Sequence, residues 1–343
     1  DPYIVEKLMR GEEDRIRSCV GATYCSNFRY CIQNPATARE SSLPHQIAKN
    51  TDRQKKVVVV GGGPGGLEAA RVCASRGHQV VLFEAADRAG GQVLLAGKVR
   101  WRTDLNSIID WLENECRILG VDIRFNHFGE SDDVLAENPD VVIVATGGTP
   151  NTDWIEGNAT VVSSWDALSG IVPISGSVLI HDLTGRNTAL AVADLLSEKG
   201  VEVTLNTQDA HIGAEAMRLE ISPFMKRFYE RGVKMAVDQE LIAAHAEDRQ
   251  TRVTVRNMHT AESSEYFVDH LVVEAGTLPN DELFYALKDK SANNGVLDLD
   301  LLAKGLAQPE HDAGFHLYRV GDVSGSRDIH CAMLDSLRLC AEI

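Results

Sequence analysis

The pattern of apolar and polar residues predicts strands that alternate with helices. Residues 57–60 form a continuous β-branched run, which is typical of a strand buried on both faces of a parallel sheet. A glycine-rich turn, a helix at residues 67–75 and a strand at residues 79–84 follow. This order predicts an α/β fold with a doubly wound parallel sheet.

The same order recurs further along the chain. The further predicted elements are strands at residues 140–145, 177–181, 201–205, 252–257, 266–273 and 317–320, and helices at residues 188–199, 222–231 and after residue 322. We therefore predict two nested Rossmann-like dinucleotide-binding domains with parallel sheets. The first comprises residues 56–168 and 306–343, and the second, which is degenerate, comprises residues 169–305.

The first 55 residues show a different pattern. Residues 1–18 are predicted to form a short helix with apolar positions Ile4, Leu8 and Ile16. Residues 19–55 lack periodicity and are rich in Asn, Pro, Ser and Gly, so we predict a loop-rich connector.

Composition narrows the class of protein. The net charge of −16 over 343 residues argues against a nucleic-acid partner. No apolar run approaches the length that spans a membrane. The seven cysteines are an odd number, which argues against a disulfide framework and predicts a cytoplasmic protein. The chain starts with neither a signal peptide nor a methionine, so we expect a processed product or a fragment.

The turn after the first strand has the spacing G-x-G-x-x-G. In such turns the first glycine permits a tight bend, the second lets the backbone approach a diphosphate, and the third allows close packing of helix on strand. Glu84 ends the next strand, where its carboxylate would accept hydrogen bonds from a ribose and repel a 2′-phosphate. We predict that an adenine nucleotide binds at Gly61, Gly63, Pro64, Gly65, Gly66 and Glu84.

Three further turns are predicted to line the same crevice, because ligands of open α/β sheets lie beyond the carboxyl ends of the strands. Asp322 could bond a sugar or ribityl hydroxyl there, so the turns indicate a flavin site. The residues are Arg88, Gly91 and Gln92, then Ala145, Thr146 and Gly147, and finally Gly321 and Asp322.

Three cysteines, Cys19, Cys25 and Cys31, fall in one short stretch. Thiolates at this density bind soft metals or iron–sulfur clusters, and incidental thiols are the alternative. A four-cysteine cluster would need a ligand where Ala22 stands.

The second strand–helix–strand unit has a weaker turn. Residues 182–187 contain one glycine instead of three, and the following strand ends in Asn206 rather than in an acid or an arginine. These two features favour a domain with a structural role over one with a functional NAD(P)H-binding site.

With these motifs, the chain resembles the C-terminal half of the old-yellow-enzyme-like NADH:flavin oxidoreductases. That branch includes trimethylamine dehydrogenase, 2,4-dienoyl-CoA reductase and bacterial N-methyl amine demethylases. Within residues 1–55, the start through residues 17–21 resembles the end of its FMN-binding barrel running into its cluster loop, and residues 31–37 resemble the segment with the last cluster cysteine. Residues 274–279 and 327–330 are most similar to N-methylproline and dimethylglycine demethylases. Two features depart from the family pattern: Ala22 with the short spacer between Cys25 and Cys31, and the absence of the FMN-binding barrel.

The resemblance implies the electron-transfer portion of an N-methyl amine dehydrogenase or demethylase. It implies FAD or ADP in the glycine-turn site and an iron–sulfur cluster at the cysteines. It also implies FMN in a barrel that precedes Asp1 on a longer chain or belongs to another chain. A small amine substrate, an electron-carrier flavoprotein or NAD(P)H, and an oligomeric state are the expected partners. Two alternatives remain: an NAD(P)H-dependent enoate or dienoyl reductase, and a non-catalytic module that holds ADP and docks an electron carrier.

Overall fold

The computed structural model describes residues 1–50, 53–311 and 314–343. Residues 51–52 of the predicted connector and residues 312–313 of the predicted first domain lie outside the described residues.

The helices and strands alternate over most of the chain. The α-helices are α1 (Ile4–Arg10), α2 (Tyr24–Phe28), α3 (Pro64–Ser75), α4 (Gln92–Ala96), α5 (Asn106–Ile118), α6 (Ser131–Ala136), α7 (Ser164–Ser169), α8 (Asn187–Glu198), α9 (Arg218–Arg231), α10 (Glu282–Lys288), α11 (Leu299–Lys304) and α12 (Ile329–Cys340). Short 3₁₀ helices lie at Glu13–Arg15, Arg100–Leu105 and Gly321–Val323. The strands are β1 (Lys56–Val60), β2 (Gln79–Phe83), β3 (Asp122–Arg124), β4 (Val141–Val144), β5 (Gly148–Pro150), β6 (Glu156–Gly157), β7 (Val161–Ser163), β8 (Ser177–Asp182), β9 (Glu202–Thr207), β10 (Lys234–Ala236), β11 (Gln239–Glu247), β12 (Gln250–Asn257), β13 (Ser263–Val268), β14 (His270–Glu274), β15 (Thr277–Pro279) and β16 (His316–Arg319).

The chain divides into two compact units that are nested in sequence. The first contains Asp1–Gly97, Arg102–Thr149 and Leu278–Ile343, and the second contains Lys98–Trp101 and Pro150–Thr277. The main part of the second unit thus runs from Pro150 to Thr277. The second domain predicted from the sequence comprised residues 169–305.

The first unit is built on a five-stranded parallel sheet in the order β16-β4-β1-β2-β3. Successive residues of β1 pack on opposite faces of this sheet. Val57 and Val59 join a core with α3, α5 and α12, while Val58 and Val60 pack with Phe284 and other residues on the other face. Because β1 is buried on both faces, polar residues do not alternate with apolar residues along it.

The N-terminal segment packs on the first unit. Arg15 Nε lies 2.8 Å from Glu115 Oε1 on α5, and the Arg17 guanidinium stacks 3.6 Å from the Trp111 ring centroid. The predicted single helix over residues 1–18 is wrong: α1 ends at Arg10, because Gly11 adopts a left-handed conformation with φ 69° and closes the helix. Ile16 therefore lies outside any α-helix.

The second unit contains a five-stranded parallel sheet in the order β10-β9-β8-β14-β7. It also contains an antiparallel arrangement of β11, β12 and β13, with β6 beside β11, that the sequence did not predict.

The single strand predicted at residues 266–273 is two strands in different sheets. They are separated at Asp269, whose carboxylate accepts hydrogen bonds from the backbone and hydroxyl of Ser177, both at 2.8 Å. Within the described parts of the chain, none of the helices has the length and apolar character needed to cross a bilayer.

Candidate functional site

The turn between β1 and α3 is so tight that two of its glycines have no room for a side chain. A Cβ on Gly61, where φ is 109°, would lie 2.3 Å from the Ala145 carbonyl oxygen, and one on Gly66 would lie 1.9 Å from the Gly61 carbonyl oxygen. Gly63 differs, because no atom lies within 4 Å of its Cβ position. The turn is therefore packed on its inner side and open at Gly63.

Helix α3 starts directly at this turn, with Pro64 in its first turn and no acidic residue there. Gly65 packs on α12: a Cβ there would lie at ordinary van der Waals distance, 3.6 Å, from the Ala332 Cβ, and Ser336 Oγ donates to the Gly65 carbonyl at 2.8 Å. The amino-terminal end of α3, with its partial positive charge, is thus held at the carboxyl edge of the sheet.

Glu84 follows β2 and is half-buried beside the turn. Its Oε2 accepts a hydrogen bond from Gly62 N at 2.6 Å, and its Oε1 accepts one from Ala86 N at 2.7 Å. A carboxylate has about four lone-pair sites, so each oxygen keeps capacity for another donor. The sequence did not single out Gly62, whose N–H positions this side chain.

Gly90 and Gly91, which precede α4, lie against the turn between β1 and α3. Gly90 N donates to the Gly62 carbonyl at 2.9 Å, and a Cβ on Gly91 would lie 3.6 Å from the Gly63 Cα. Gly91 has φ 52° and directly precedes α4. Arg88 is exposed in the same loop.

Gln92, the first residue of α4, reaches the turn that follows β16. Its Nε2 donates to Asp322 Oδ2 at 2.8 Å, and Asp322 Oδ1 accepts from Arg327 N at 3.3 Å. Gly321 has φ 74° and starts the short 3₁₀ helix that contains Asp322. The structure therefore brings the predicted residues Gly91, Gln92 and Asp322 together.

The turn after β4 forms another side of this edge. Ala145 N donates to the Val60 carbonyl at 2.7 Å, which places the Ala145 carbonyl against Gly61. Thr146 Oγ1 donates to the Asn280 carbonyl at 2.5 Å, and Asn280 N donates to the Gly147 carbonyl at 3.0 Å. The Thr146 hydroxyl thus holds a distant segment that no sequence motif marked.

The three clustered cysteines do not form a metal site in this structure. Cys19 and Cys25 are exposed and Cys31 is half-buried. Across residues 1–50, 53–311 and 314–343, no group of three or more His, Cys, Asp or Glu side chains could hold a metal ion. The predicted iron–sulfur site is therefore not present in the described residues.

The local sequence explains this result. Ala22 supplies no thiolate, and Cys25 lies in the short helix α2, which ends at Arg29 in a left-handed conformation. Cys31 makes a contact through its backbone: its carbonyl oxygen lies 2.8 Å from Nδ1 of the buried His330. The residues present do not fit a four-thiolate cluster.

Comparison with known proteins identifies the family. A family model described as pyridine nucleotide-disulphide oxidoreductase matches residues 55–333. The chain therefore belongs to the pyridine nucleotide-disulphide oxidoreductase family.

Three curated relatives match along nearly the whole chain. A "Multifunctional alkene reductase/demethylase OYE" of Caballeronia cordobensis is 44% identical over 99% of this chain and 51% of its own length. An "N,N-dimethylglycine/sarcosine dehydrogenase" of Chromohalobacter salexigens is 40% identical over 100% of this chain and 52% of its own. A "Probable N-methylproline demethylase" of Rhizobium meliloti is 41% identical, again over 100% and 52%. These relatives confirm the resemblance to old-yellow-enzyme-like proteins, and the chain spans about half of their length.

A solved structure described as a 2-naphthoyl-CoA reductase complex matches the whole chain with a TM-score of 0.84 and 26% identity. The match covers 49% of that chain. The Rossmann-like α/β fold predicted from the sequence is confirmed.

Proposed function

We propose that this chain is the nucleotide-binding, electron-transfer portion of a flavin-dependent N-methyl amine dehydrogenase or demethylase. A small amine is the substrate class, and two relatives at 40–41% identity carry names of that chemistry. The observation that carries the proposal is the pair of apposed glycine turns, open at Gly63 and bordered by Glu84 and Asp322. An FMN-binding barrel, on the same longer protein or on a second chain, would carry the substrate chemistry, since the relatives are about twice as long as this chain.

The residues of the first turn fit an adenine nucleotide. Backbone N–H groups at Gly63, Gly65 and Gly66, with the amino-terminal end of α3, would hold a diphosphate, and Pro64 starts that helix in the required direction. The open space at Gly63 gives the ligand its approach, whereas a side chain there would fill it. Glu84 would accept hydrogen bonds from the ribose hydroxyls and would disfavour a 2′-phosphate.

The remaining residues would hold the rest of a dinucleotide. Gly91 and Gln92 border one side, and Ala145, Thr146 and Gly147 border another. Asp322, positioned by Gln92, would accept a hydrogen bond from a sugar or ribityl hydroxyl, with Gly321 allowing close approach of the backbone. FAD, when bound, supplies the capacity to accept and pass on electrons, while ADP would fill only the part of the site near Gly63 and Glu84.

No electron-transfer step through an iron–sulfur cluster is proposed, because Cys19, Cys25 and Cys31 do not fit one. An electron-carrier flavoprotein is the proposed acceptor.

All seven cysteines are free, which supports a reducing, cytoplasmic location.

The test is to identify the nucleotide that the protein holds. Protein purified in the dark is denatured, and the released material is analysed by mass spectrometry and by its visible spectrum. Stripped protein is then titrated with FAD and with ADP. Stoichiometric FAD supports electron transfer, and ADP alone supports the alternative of a non-catalytic module that docks a carrier. Absence of both, with no binding on titration of folded protein, would contradict the proposal.

One observation favours a second candidate, an NAD(P)H-dependent enoate or dienoyl reductase. The relative at 44% identity is named an alkene reductase as well as a demethylase. A reductase would require NAD(P)H to deliver hydride to the flavin. Whether the second unit binds NAD(P)H therefore discriminates between the two candidates.

A further inference from the structure

The second unit repeats the strand–turn–helix arrangement of the first, with β8, residues 182–187 and α8 in the place of β1, residues 61–66 and α3. Parallel strands β9 and β14 flank β8, so the carboxyl ends of three strands meet at this turn. In an open α/β sheet this is the position where a dinucleotide binds.

Asp182 occupies the anion position of this turn with its own carboxylate. A single oxygen, Oδ1, accepts hydrogen bonds from Thr184 N at 2.9 Å, Thr184 Oγ1 at 3.0 Å and Gly185 N at 3.0 Å. The Asp182 side chain is only 1% exposed, so solvent does not compete for these donors. Consecutive backbone N–H groups of this kind would otherwise bind a phosphate.

A neighbouring segment closes the approach to the same turn. Glu215 N donates to the Gly185 carbonyl at 2.9 Å. A Cβ on Gly185 would lie 2.9 Å from Asp209 Oδ2 and 3.1 Å from Glu215 N, whereas Gly63 in the first unit has no atom within 4 Å. The backbone of the second turn is therefore covered by its own chain at Gly185, whereas the first turn is open at Gly63.

The charges around the turn are mainly negative. Glu274 ends β14 in register with Asp182, is 7% exposed, and accepts hydrogen bonds from Ser164 and from Gly276 N. At the start of α8, Asn187 Nδ2 donates to Oε2 of the buried Glu220 at 2.7 Å. Arg186 is the basic residue of the turn, and it is exposed. Buried carboxylates at both ends of the turn would repel the phosphates of a nucleotide.

From these contacts we infer that Asp182 is an internal anion that takes the place of a ligand's phosphates, so that the second unit binds neither NADH nor NADPH. This inference rests on the proposed function and extends it. Electrons that reach the nucleotide-binding portion then pass to a carrier protein, and the dehydrogenase direction is favoured over the NAD(P)H-dependent reductase.

The first test is a binding titration of the full chain presaturated with FAD or ADP, so that the first unit cannot take up the added nucleotide. NADH and NADPH are added at pH 8 up to about 1 mM, and binding is followed by calorimetry and by nicotinamide fluorescence. We expect no saturable signal. Saturable binding of either nucleotide with a Kd below about 100 µM would overturn the inference and leave the proposed nucleotide site of the first unit intact. Conversely, failure of FAD or ADP to bind would count against the proposed function alone.

A second test asks whether Asp182 acts as the anion. Asp182→Ala removes the carboxylate and frees the N–H groups of Thr184 and Gly185. We expect the variant to unfold at a lower temperature than the original protein, and inorganic phosphate at about 50 mM to raise its Tm by about 2 °C more than that of the original protein. Asp87→Ala, which removes an exposed acid of the first unit, serves as the control for general salt effects. An equal response to phosphate in all three proteins would overturn the assignment of Asp182. If Asp182→Ala fails to fold, Asp182→Gly, which also removes the carboxylate and frees both N–H groups, is tested in the same way.

Discussion

Gln92 donates a hydrogen bond from Nε2 to Oδ2 of Asp322 at 2.8 Å, across 230 residues of sequence. The contact joins the start of α4, directly after Gly90 and Gly91, to the turn that follows β16. Both residues belong to the predicted nucleotide site, and neither motif alone indicated that they meet.

Replacing Gln92 tests whether this contact positions Asp322. Gln92→Glu should place a second carboxylate beside Asp322 and lower stability by about 1–2 kcal/mol at pH 8, with a smaller loss at pH 4, where the introduced Glu side chain is partly protonated. Gln92→Ala should lose one hydrogen bond and cost about 1 kcal/mol with little dependence on pH. Urea unfolding of both variants at the two pH values measures the effect, and an identical pH dependence would argue against contact between the two side chains.

Gly66 and Gly63 should respond in opposite ways to the same substitution. Gly66→Ala places a methyl group 1.9 Å from the Gly61 carbonyl oxygen, so we expect a loss of at least about 3 kcal/mol of stability. Gly63→Ala meets open space, so the free energy of unfolding should change by less than about 0.5 kcal/mol. Affinity for FAD or ADP should nevertheless fall about tenfold or more, because the methyl group occupies the ligand's approach. Thermal unfolding and nucleotide titration separate the two effects. A Gly63→Ala protein with unchanged affinity would place the ligand elsewhere.

Glu84→Ala should weaken nucleotide retention. A lost hydrogen bond to a charged group costs about 1.5–3 kcal/mol, which corresponds to about one to two decades in affinity. Because Glu84 also accepts from Gly62 N and Ala86 N, some loss of stability is expected too. Dialysis followed by quantification of the retained nucleotide gives the result, with Asp87→Ala as the matched exposed-acid control. Equal retention in the folded Glu84→Ala and Asp87→Ala variants would reduce Glu84 to a structural residue of the turn.

The pH dependence of stability should report on Asp182. Burial raises the pKa of its carboxyl to about 6, against the opposing effect of the turn's hydrogen bonds. The folded state therefore binds this proton more tightly than the unfolded state between about pH 4 and pH 6, and stability falls as pH rises through that window. Asp182→Asn does not titrate. Its stability relative to the original protein should therefore rise from pH 4 to pH 6, by at most about 3 kcal/mol, and then level off. Urea unfolding of both proteins between pH 4 and pH 8 measures the difference, and a difference that is constant with pH would contradict the shift.

Iron analysis checks the cysteine segment. Protein purified anaerobically should contain far less than one iron and one labile sulfide per chain, because Ala22 offers no thiolate and the cysteines do not converge. Cys31→Ser should leave the iron content unchanged. Stoichiometric iron that disappears in Cys19→Ser would show that the segment rearranges to bind a cluster.

The parts of the fold that depend on local sequence could be predicted. The four valines at residues 57–60 predicted a doubly buried strand, and the glycines that follow predicted a tight turn before a helix, because only glycine fits next to the Ala145 and Gly61 carbonyl oxygens. The regions around Gly91, Ala145 and Asp322 could also be predicted to meet, since they follow or border parallel strands.

Long-range hydrogen bonds account for most of what could not be predicted. The break at Asp269 depends on Ser177, the position of Asn280 depends on Thr146, and the closure of Gly185 depends on Glu215. None of these pairs has a periodic or motif signature. The cysteine segment is a different case: three thiols suggest a cluster, but Ala22 leaves the set one thiolate short, and the described residues hold no group of side chains suited to a metal ion.

The position of β16 has a consequence for biosynthesis. β16 pairs with β4 in the first unit, yet the main part of the second unit, Pro150–Thr277, lies between them in the chain. At about 5–20 residues per second, a ribosome would take on the order of ten seconds or more to reach the last strand after completing β4. During that time β4, whose four residues are buried in the finished sheet, is an exposed apolar edge. We therefore expect the nascent first unit to expose this apolar edge to chaperones, because the second unit is synthesised in full before the first unit closes.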